Sequence, residues 1–136
     1  MAQETREQKI HRITEKLYRD RGLVNKALGF GVQLDPDFFE IYSQGSWGFF
    51  NPDKPRHLPH TMREIIAAVL CAFRGIREGA YNHCKRALQQ GATMEEILEA
   101  FEVASVPGGS PTLFLGLAVL KRIDEEQGQS GSGGKE

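Results

Sequence analysis

Between Thr5 and Arg21 the apolar residues Ile10, Ile13, Leu17 and Tyr18 recur at helical spacing, with charged residues on the other face. This predicts an amphipathic first helix stopped by Gly22. From Leu23 to Gly31 the pattern is mixed and holds two glycines, enough for a short helix only. Asp35-Pro36-Asp37 then has the order of an N-cap followed by proline at the first helical position. It opens a predicted helix through Phe38, Phe39, Ile41 and Tyr42 that stops at Gly45. Trp47 to Pro59 (WGFFNPDKPRHLP) reads as the longest loop. Its aromatics Trp47, Phe49 and Phe50 are costly to leave wet, so they are expected to pack on this subunit, cover a pocket or meet another subunit.

The second half is a series of helices. Thr61-x-x-Glu64 has the form of a capping box, and a start two residues earlier fits as well. The helix it opens, to about Arg74, is apolar on nearly all sides (Ile65, Ile66, Ala67, Ala68, Val69, Leu70, Ala72, Phe73), which predicts deep burial. Gly75 marks a break. A further helix is predicted from about Ile76 to Gln90, with Gly91 as its C′ residue. Thr93-x-x-Glu96 is a second capping box, leading through Ile97, Leu98, Phe101 and Val103 to a break at Pro107-Gly108-Gly109. Ser110-Pro111 restarts a helix through Leu113, Leu117, Leu120 and Ile123. No strand pattern is present, so the fold class is all-α.

The 136 residues suit one domain, assigned to residues 1–127, with GQSGSGGKE (128–136) as a flexible tail. A net charge of −1 gives no electrostatic case for nucleic acid or anionic lipid. The polar start MAQETREQKIHRITEK has no signal-peptide core, and the apolar run from Ile65 to Phe73 is too short to span a bilayer. Two cysteines, Cys71 and Cys84, make no disulfide scaffold. A reducing, cytoplasmic setting is the expectation.

Candidate chemistry centres on Glu64 and His83, an acid and an imidazole set in apolar helical sequence. Ionisable groups in such surroundings are costly and tend to be paired or functional. Brought together across adjoining helices, the two form a proton-transfer pair. The imidazole accepts or donates while the carboxylate orients it and stabilises its charge. A buried ion pair without turnover uses the same residues, and a capping role for Glu64 uses the same atoms.

Arg63-Glu64 at a helix start, followed by H83-CKR-A87-LQQ-G91-AT-M94-E95-E96-I97, resembles the carboxymuconolactone decarboxylase family, which includes the alkylhydroperoxidase D-like (AhpD-like) proteins. The Gly108-Gly109 turn is similar to that family's glycine-rich break. The resemblance covers about Leu58 to Leu120. It implies a bundle of about six to seven helices whose hairpins pack with those of neighbours, as homo-trimers or hexamers. The redox branch of the family carries C-x-x-C ahead of the histidine. Here those two positions are Ile76 and Gly79, so a dithiol centre, in which one thiolate attacks and the other resolves, is absent from the family's place. The resemblance therefore implies the non-redox branch: cofactor-free acid/base chemistry, such as decarboxylation of a small organic acid or lactone, with Glu64 and His83 catalytic.

Other residues carry weaker signals. Gly79 lies one helical turn before His83 and either leaves room for substrate or lets two helices approach. Cys71 shares a helix face with Glu64, and Cys84 is turned about 100° from His83. Either thiol is the candidate for an alternative, thiol-dependent peroxidase activity, although buried inert cysteines are the commoner case. Arg74, Arg77 and Arg86 are candidates to clamp a substrate carboxylate, or plain surface cations. Trp47 is a candidate pocket residue. His57 and His60 form an H-x-x-H without a third ligand at recognisable spacing, so no metal site is expected. His11 reads as surface. A third possibility is a ligand-binding or assembly protein without turnover.

Overall fold

The computed structural model describes residues 2–21, 25–47, 50–51, 53–54 and 56–132, without the side chains of 46, 47 and 130–132. Among the described residues it holds seven α-helices and no strand. They are α1 (Arg6–Arg21), α2 (Lys26–Leu34), α3 (Pro36–Tyr42), α4 (His60–Phe73), α5 (Arg77–Gln89), α6 (Met94–Gly108) and α7 (Ser110–Ser132), with a π-helical turn over Ser43–Trp47 after α3. The chain divides into two compact units, Met1–Pro55 and Arg56–Glu136.

In the first unit, α1 buries Ile13 and Leu17 against Val32 of α2, with Ile10, Leu28 and Phe39 packed around them. The Asp35 side chain accepts from Phe38 N, and Pro36 follows it, so the expected N-cap is present. Phe50 lies under the Arg21 guanidinium, 4.6 Å from Cζ to ring centroid, which packs one loop aromatic on its own unit. The Trp47 side chain, Phe49 and Gly22 lie outside the described residues.

The second unit is built on the α4–α5 hairpin. Three residues join the two helices, which makes them antiparallel neighbours. Gly75 has φ +74°, and Ile76 N donates to Cys71 O (2.8 Å) while Gly75 N donates to Ala72 O (3.0 Å). Gly91, at φ +101°, ends α5 in the same way, with Ala92 N on Ala87 O and Gly91 N on Leu88 O. Both are Schellman closures, and their left-handed residue favours glycine. Ala68, Ala72, Ala80, Cys84 and Ala87 let α4 and α5 come close, and Ile97, Phe101, Val119, Leu120 and Ile123 from α6 and α7 close the core.

Several expectations are corrected here. The capping box at Thr61 does not form: α4 starts at His60, after Pro59, with no side-chain cap. The box at Thr93 does form, with Glu96 reciprocating. The buried residues of α4 are Arg63, Glu64, Ile65, Ala68 and Ala72, while Met62, Ile66, Leu70 (57% exposed) and Phe73 (60%) line an uncovered face. The unit's other three helices reach only one side of this helix. Pro107 is carried inside α6, which runs to Gly108 and breaks at Gly109 (φ +79°). A proline this near a helix end forfeits one hydrogen bond and can be kept. Helix α7 runs to Ser132. Extending a formed helix orders one residue per hydrogen bond and needs no new nucleus.

Candidate active site

The site is assembled by the α4–α5 hairpin. Glu64, in the second turn of α4, points into the unit and has no exposed surface. His83, in the middle of α5, meets it from the antiparallel helix, with Nδ1 at 2.6 Å from Glu64 Oε2. The His83 side chain is 17% exposed, so one edge of the ring remains reachable. The two residues read from the sequence as an acid/base pair are therefore in direct contact, nineteen positions apart.

A third side chain joins them. His60, one turn before Glu64 on α4, has Nε2 at 3.1 Å from Glu64 Oε1. From the sequence His60 is a candidate only as a metal ligand beside His57, and its contact with Glu64 is not foreseen. The signal was available in the i, i+4 spacing of His60 and Glu64, which shares a face once the helix is started at His60. Among the described residues no three His, Cys, Asp or Glu side chains are grouped so as to hold a metal.

The geometry dictates what the cluster can do. With Glu64 ionised, the ring nitrogens facing it are donors, so neutral His83 carries its proton on Nδ1 and a lone pair on Nε2. The carboxylate then fixes the ring's tautomer and orientation and stabilises the imidazolium when Nε2 takes a proton.

The remaining candidates are arranged differently. A Cβ on Gly79 would lie 2.8 Å from the Sγ of Cys71. The Cys71 sulfur thus packs against the glycine that replaces the second cysteine of the redox pattern, which accounts for Gly79 by close helix approach. Burial raises the Cys71 thiol above its usual range, with a smaller opposing effect from Arg74. Cys84 is wholly enclosed in the core, and burial pushes its thiol up to about 12, with Cys71 adding to the rise. Arg74 and Arg77 are exposed at the α4–α5 turn. Arg74 is about 15 Å along α4 from Glu64, and Arg77 about 9 Å along α5 from His83. The hairpin thus does not bring them to the pair. A cleft of about 470 Å³ does exist in this unit, but it is lined by Lys85, Leu88, Gln89, Ile123, Glu126 and Gln127, not by Glu64 or His83.

This all-helical unit, with a buried carboxylate and imidazole on its central hairpin, can be set beside known proteins. The sequence profile of the Carboxymuconolactone decarboxylase family matches residues 36–122, more than half of the chain. The chain belongs to the carboxymuconolactone decarboxylase family. Its fold is similar to the 1.65 Å crystal structure of a provisionally assigned carboxymuconolactone decarboxylase from Burkholderia xenovorans LB400. That likeness has a TM-score of 0.75 at 20% identity over 93% of this chain and 98% of the other, and it bears on the fold alone. Compared with curated proteins, the sequence finds no significant match. Among the described residues, no helix is long and apolar enough to cross a membrane.

Proposed function

We propose that this chain is an enzyme of the family's branch without the dithiol, acting on a small organic acid or lactone by cofactor-free acid/base chemistry. Decarboxylation is the leading reaction. The observation that supports it is the 2.6 Å contact between the fully buried Glu64 and Nδ1 of a partly reachable His83. In the decarboxylation, the bond from the substrate carbon to its carboxylate breaks and the electron pair stays on that carbon, conjugated to a carbonyl. The His83 imidazolium delivers the Nε2 proton to that carbon, and the neutral ring regains one from solvent. Glu64 stabilises the imidazolium and holds its orientation.

The test is a screen of small lactone acids and keto acids for carbon dioxide release, followed by His83→Ala and Glu64→Gln. Loss of a positioned acid/base lowers rates by about 10²–10⁴-fold. Full activity in His83→Ala on a verified substrate would remove the proposal. Hydroperoxide consumption dependent on Cys71 or Cys84 would support the thiol reading, which the raised thiols make the weaker one. Tight ligand binding without turnover would support a binding protein.

The active form is proposed to be a homo-oligomer in the cytoplasm. The exposed Met62, Ile66, Leu70 and Phe73 recur along one face of α4, and monomers seldom leave such a stripe uncovered. A second copy of the chain is the occupant that the family resemblance implies. Light scattering that finds a monomer at micromolar concentration, unchanged by Leu70→Glu, would exclude it.

A further inference from the structure

We infer that His60 is the positioning residue that keeps Glu64 ionised and thereby holds His83 in the tautomer whose Nε2 can accept a proton. The inference rests on the acid/base reading of His83, but it concerns the resting state of the site and is tested without substrate.

A carboxylate with no exposed surface is costly to keep charged unless hydrogen-bond donors replace the lost water. His60 and His83 address different oxygens of Glu64, Oε1 at 3.1 Å and Oε2 at 2.6 Å, so both oxygens receive a ring nitrogen. Two arrangements of protons satisfy those contacts. In one, Glu64 is ionised and both rings donate to it. In the other, Glu64 is protonated and donates to one ring, whose outer nitrogen then carries the hydrogen.

The surroundings of His60 disfavour one form of the second, in which Glu64 donates to His60, and a His60 N–H held on Oε1 lowers the cost of the charge in the first. Its outer nitrogen, Nδ1, is buried and has no hydrogen-bond partner among the described residues. With the proton on Nε2, that orphan is a lone pair; with the proton on Nδ1, it is a stranded N–H and a lone pair faces the carboxylate. Buried orphan donors are the rarer of the two in folded proteins. The same argument disfavours a doubly protonated His60, which strands an N–H as well. His60 is therefore a neutral Nε2–H donor aimed at Oε1. Its ring is 11% exposed and sits one turn from Glu64 on the same helix, a fixed geometry that needs no rearrangement.

The consequence for His83 follows directly. While Glu64 is ionised, Nδ1 of His83 must carry the proton and Nε2 is bare. If Glu64 loses one of the N–H groups that stabilise its charge, the neutral acid becomes the better buried species. It then donates to Nδ1, and the hydrogen of neutral His83 moves to Nε2. That ring can no longer accept a proton on Nε2.

Nitrogen-15 NMR of the histidine side chains and isotope-edited infrared spectroscopy of the glutamate carboxyl read these states in the full-length protein. The wild type is expected to show His60 protonated on Nε2 only, His83 protonated on Nδ1, and Glu64 as a carboxylate. His60→Phe is expected to show a new protonated-acid band, absent in a Glu64→Gln background, and a shift of His83 toward the Nε2–H tautomer. His60→Gln, whose amide N–H can occupy the place of Nε2, is expected to restore the wild-type signals. A wild-type His60 that carries its proton on Nδ1 overturns the inference, even if His60→Phe does not fold. An unchanged spectrum in a folded His60→Phe overturns it too. Failure of the decarboxylation reading alone leaves these spectra as stated, because they involve no turnover.

Discussion

Glu40 and Glu64 each meet two basic side chains, yet Glu40 sits at the surface on α3 and Glu64 lies inside α4 with no contact with water. Around Glu40, Lys9 Nζ stands at 2.8 Å and Arg12 at 2.7 Å, and the same two cations reach on to Asp37 and Glu4. Hydrogen bonds from Lys9 and Arg12 hold the Glu40 carboxyl below the usual carboxylate range, and Arg12 does the same for Glu4. Water competes for every one of these partners, and salt screens them. Around Glu64, which has no exposed surface, nothing in the solvent can take the place of the imidazoles. The number of ion pairs is thus a poor guide to what a region needs. What matters is whether water can replace the partner.

The largest effect should come from Glu64→Ala. It strands the facing ring nitrogens of His60 and His83 and opens a cavity beside the core, for a loss of about 3 kcal/mol in urea unfolding. Glu64→Gln keeps the volume and can still accept from one ring and donate to the other, so it should retain most of the stability while losing activity. If Glu64→Ala unfolds at nearly the wild-type urea concentration, the contrast with Glu40 is gone.

Much of this contrast was legible before the structure. The helix order, the caps at Asp35 and Thr93 and the stop at Gly91 follow from local chemistry that neighbouring residues settle among themselves. The Glu64–His83 pair was also legible, because an acid and a histidine in apolar helices have few other uses. Failures came where a residue's partner lies outside its local segment. Thr61-x-x-Glu64 looked like a cap because the sequence does not say that Glu64 turns inward. His60 is an exception of another kind: paired in the sequence with His57 as a possible metal ligand, it is not related there to Glu64, four residues on in its own helix. The all-apolar α4 predicted burial, whereas a single chain covers only one of its sides. The Cys71–Gly79 contact joins two helices and has no local signature.

Cys84 extends the comparison to a group with no charged partner. Its ordinary value is 9.0, and burial first, with Cys71 second, pushes it to about 12 in the folded chain. Between those values the folded state binds the thiol proton and the unfolded state has released it. This contribution to stability is therefore complete below pH 9 and is lost as pH rises toward 12. The slope should be at most about 1.4 kcal/mol per pH unit. Urea unfolding of wild type and Cys84→Ala from pH 8 to 11 checks it. The wild type should fall more steeply above pH 9, and equal slopes would show that burial does not govern this thiol.

Gly79→Ala probes packing near the site without touching a charge. The added Cβ would lie 2.8 Å from Cys71 Sγ, so one helix must shift or the sulfur must turn. Overpacking of this kind costs about 1–3 kcal/mol, and alanine's better helix propensity returns about 1 of it. The net loss should be about 1 kcal/mol, and combining the change with Cys71→Ala should turn it into a gain. If the double variant is no more stable than Gly79→Ala alone, the sulfur is not what requires glycine there.

Arg12→Ala should do least, although Arg12 reaches two carboxylates. Once Arg12 is gone, Glu4 and Glu40 can turn to water, and Lys9 remains beside Glu40. Arg12 is itself about half exposed, so little apolar area is uncovered by its loss. The urea midpoint should stay within the scatter of ordinary surface substitutions, and about 1 M salt, which shortens the screening length to roughly 3 Å, should erase what difference there is. A loss larger than that of Gly79→Ala, persisting in high salt, would mean that the surface network resists replacement by water. The distinction between Glu40 and Glu64 would then rest on catalysis alone.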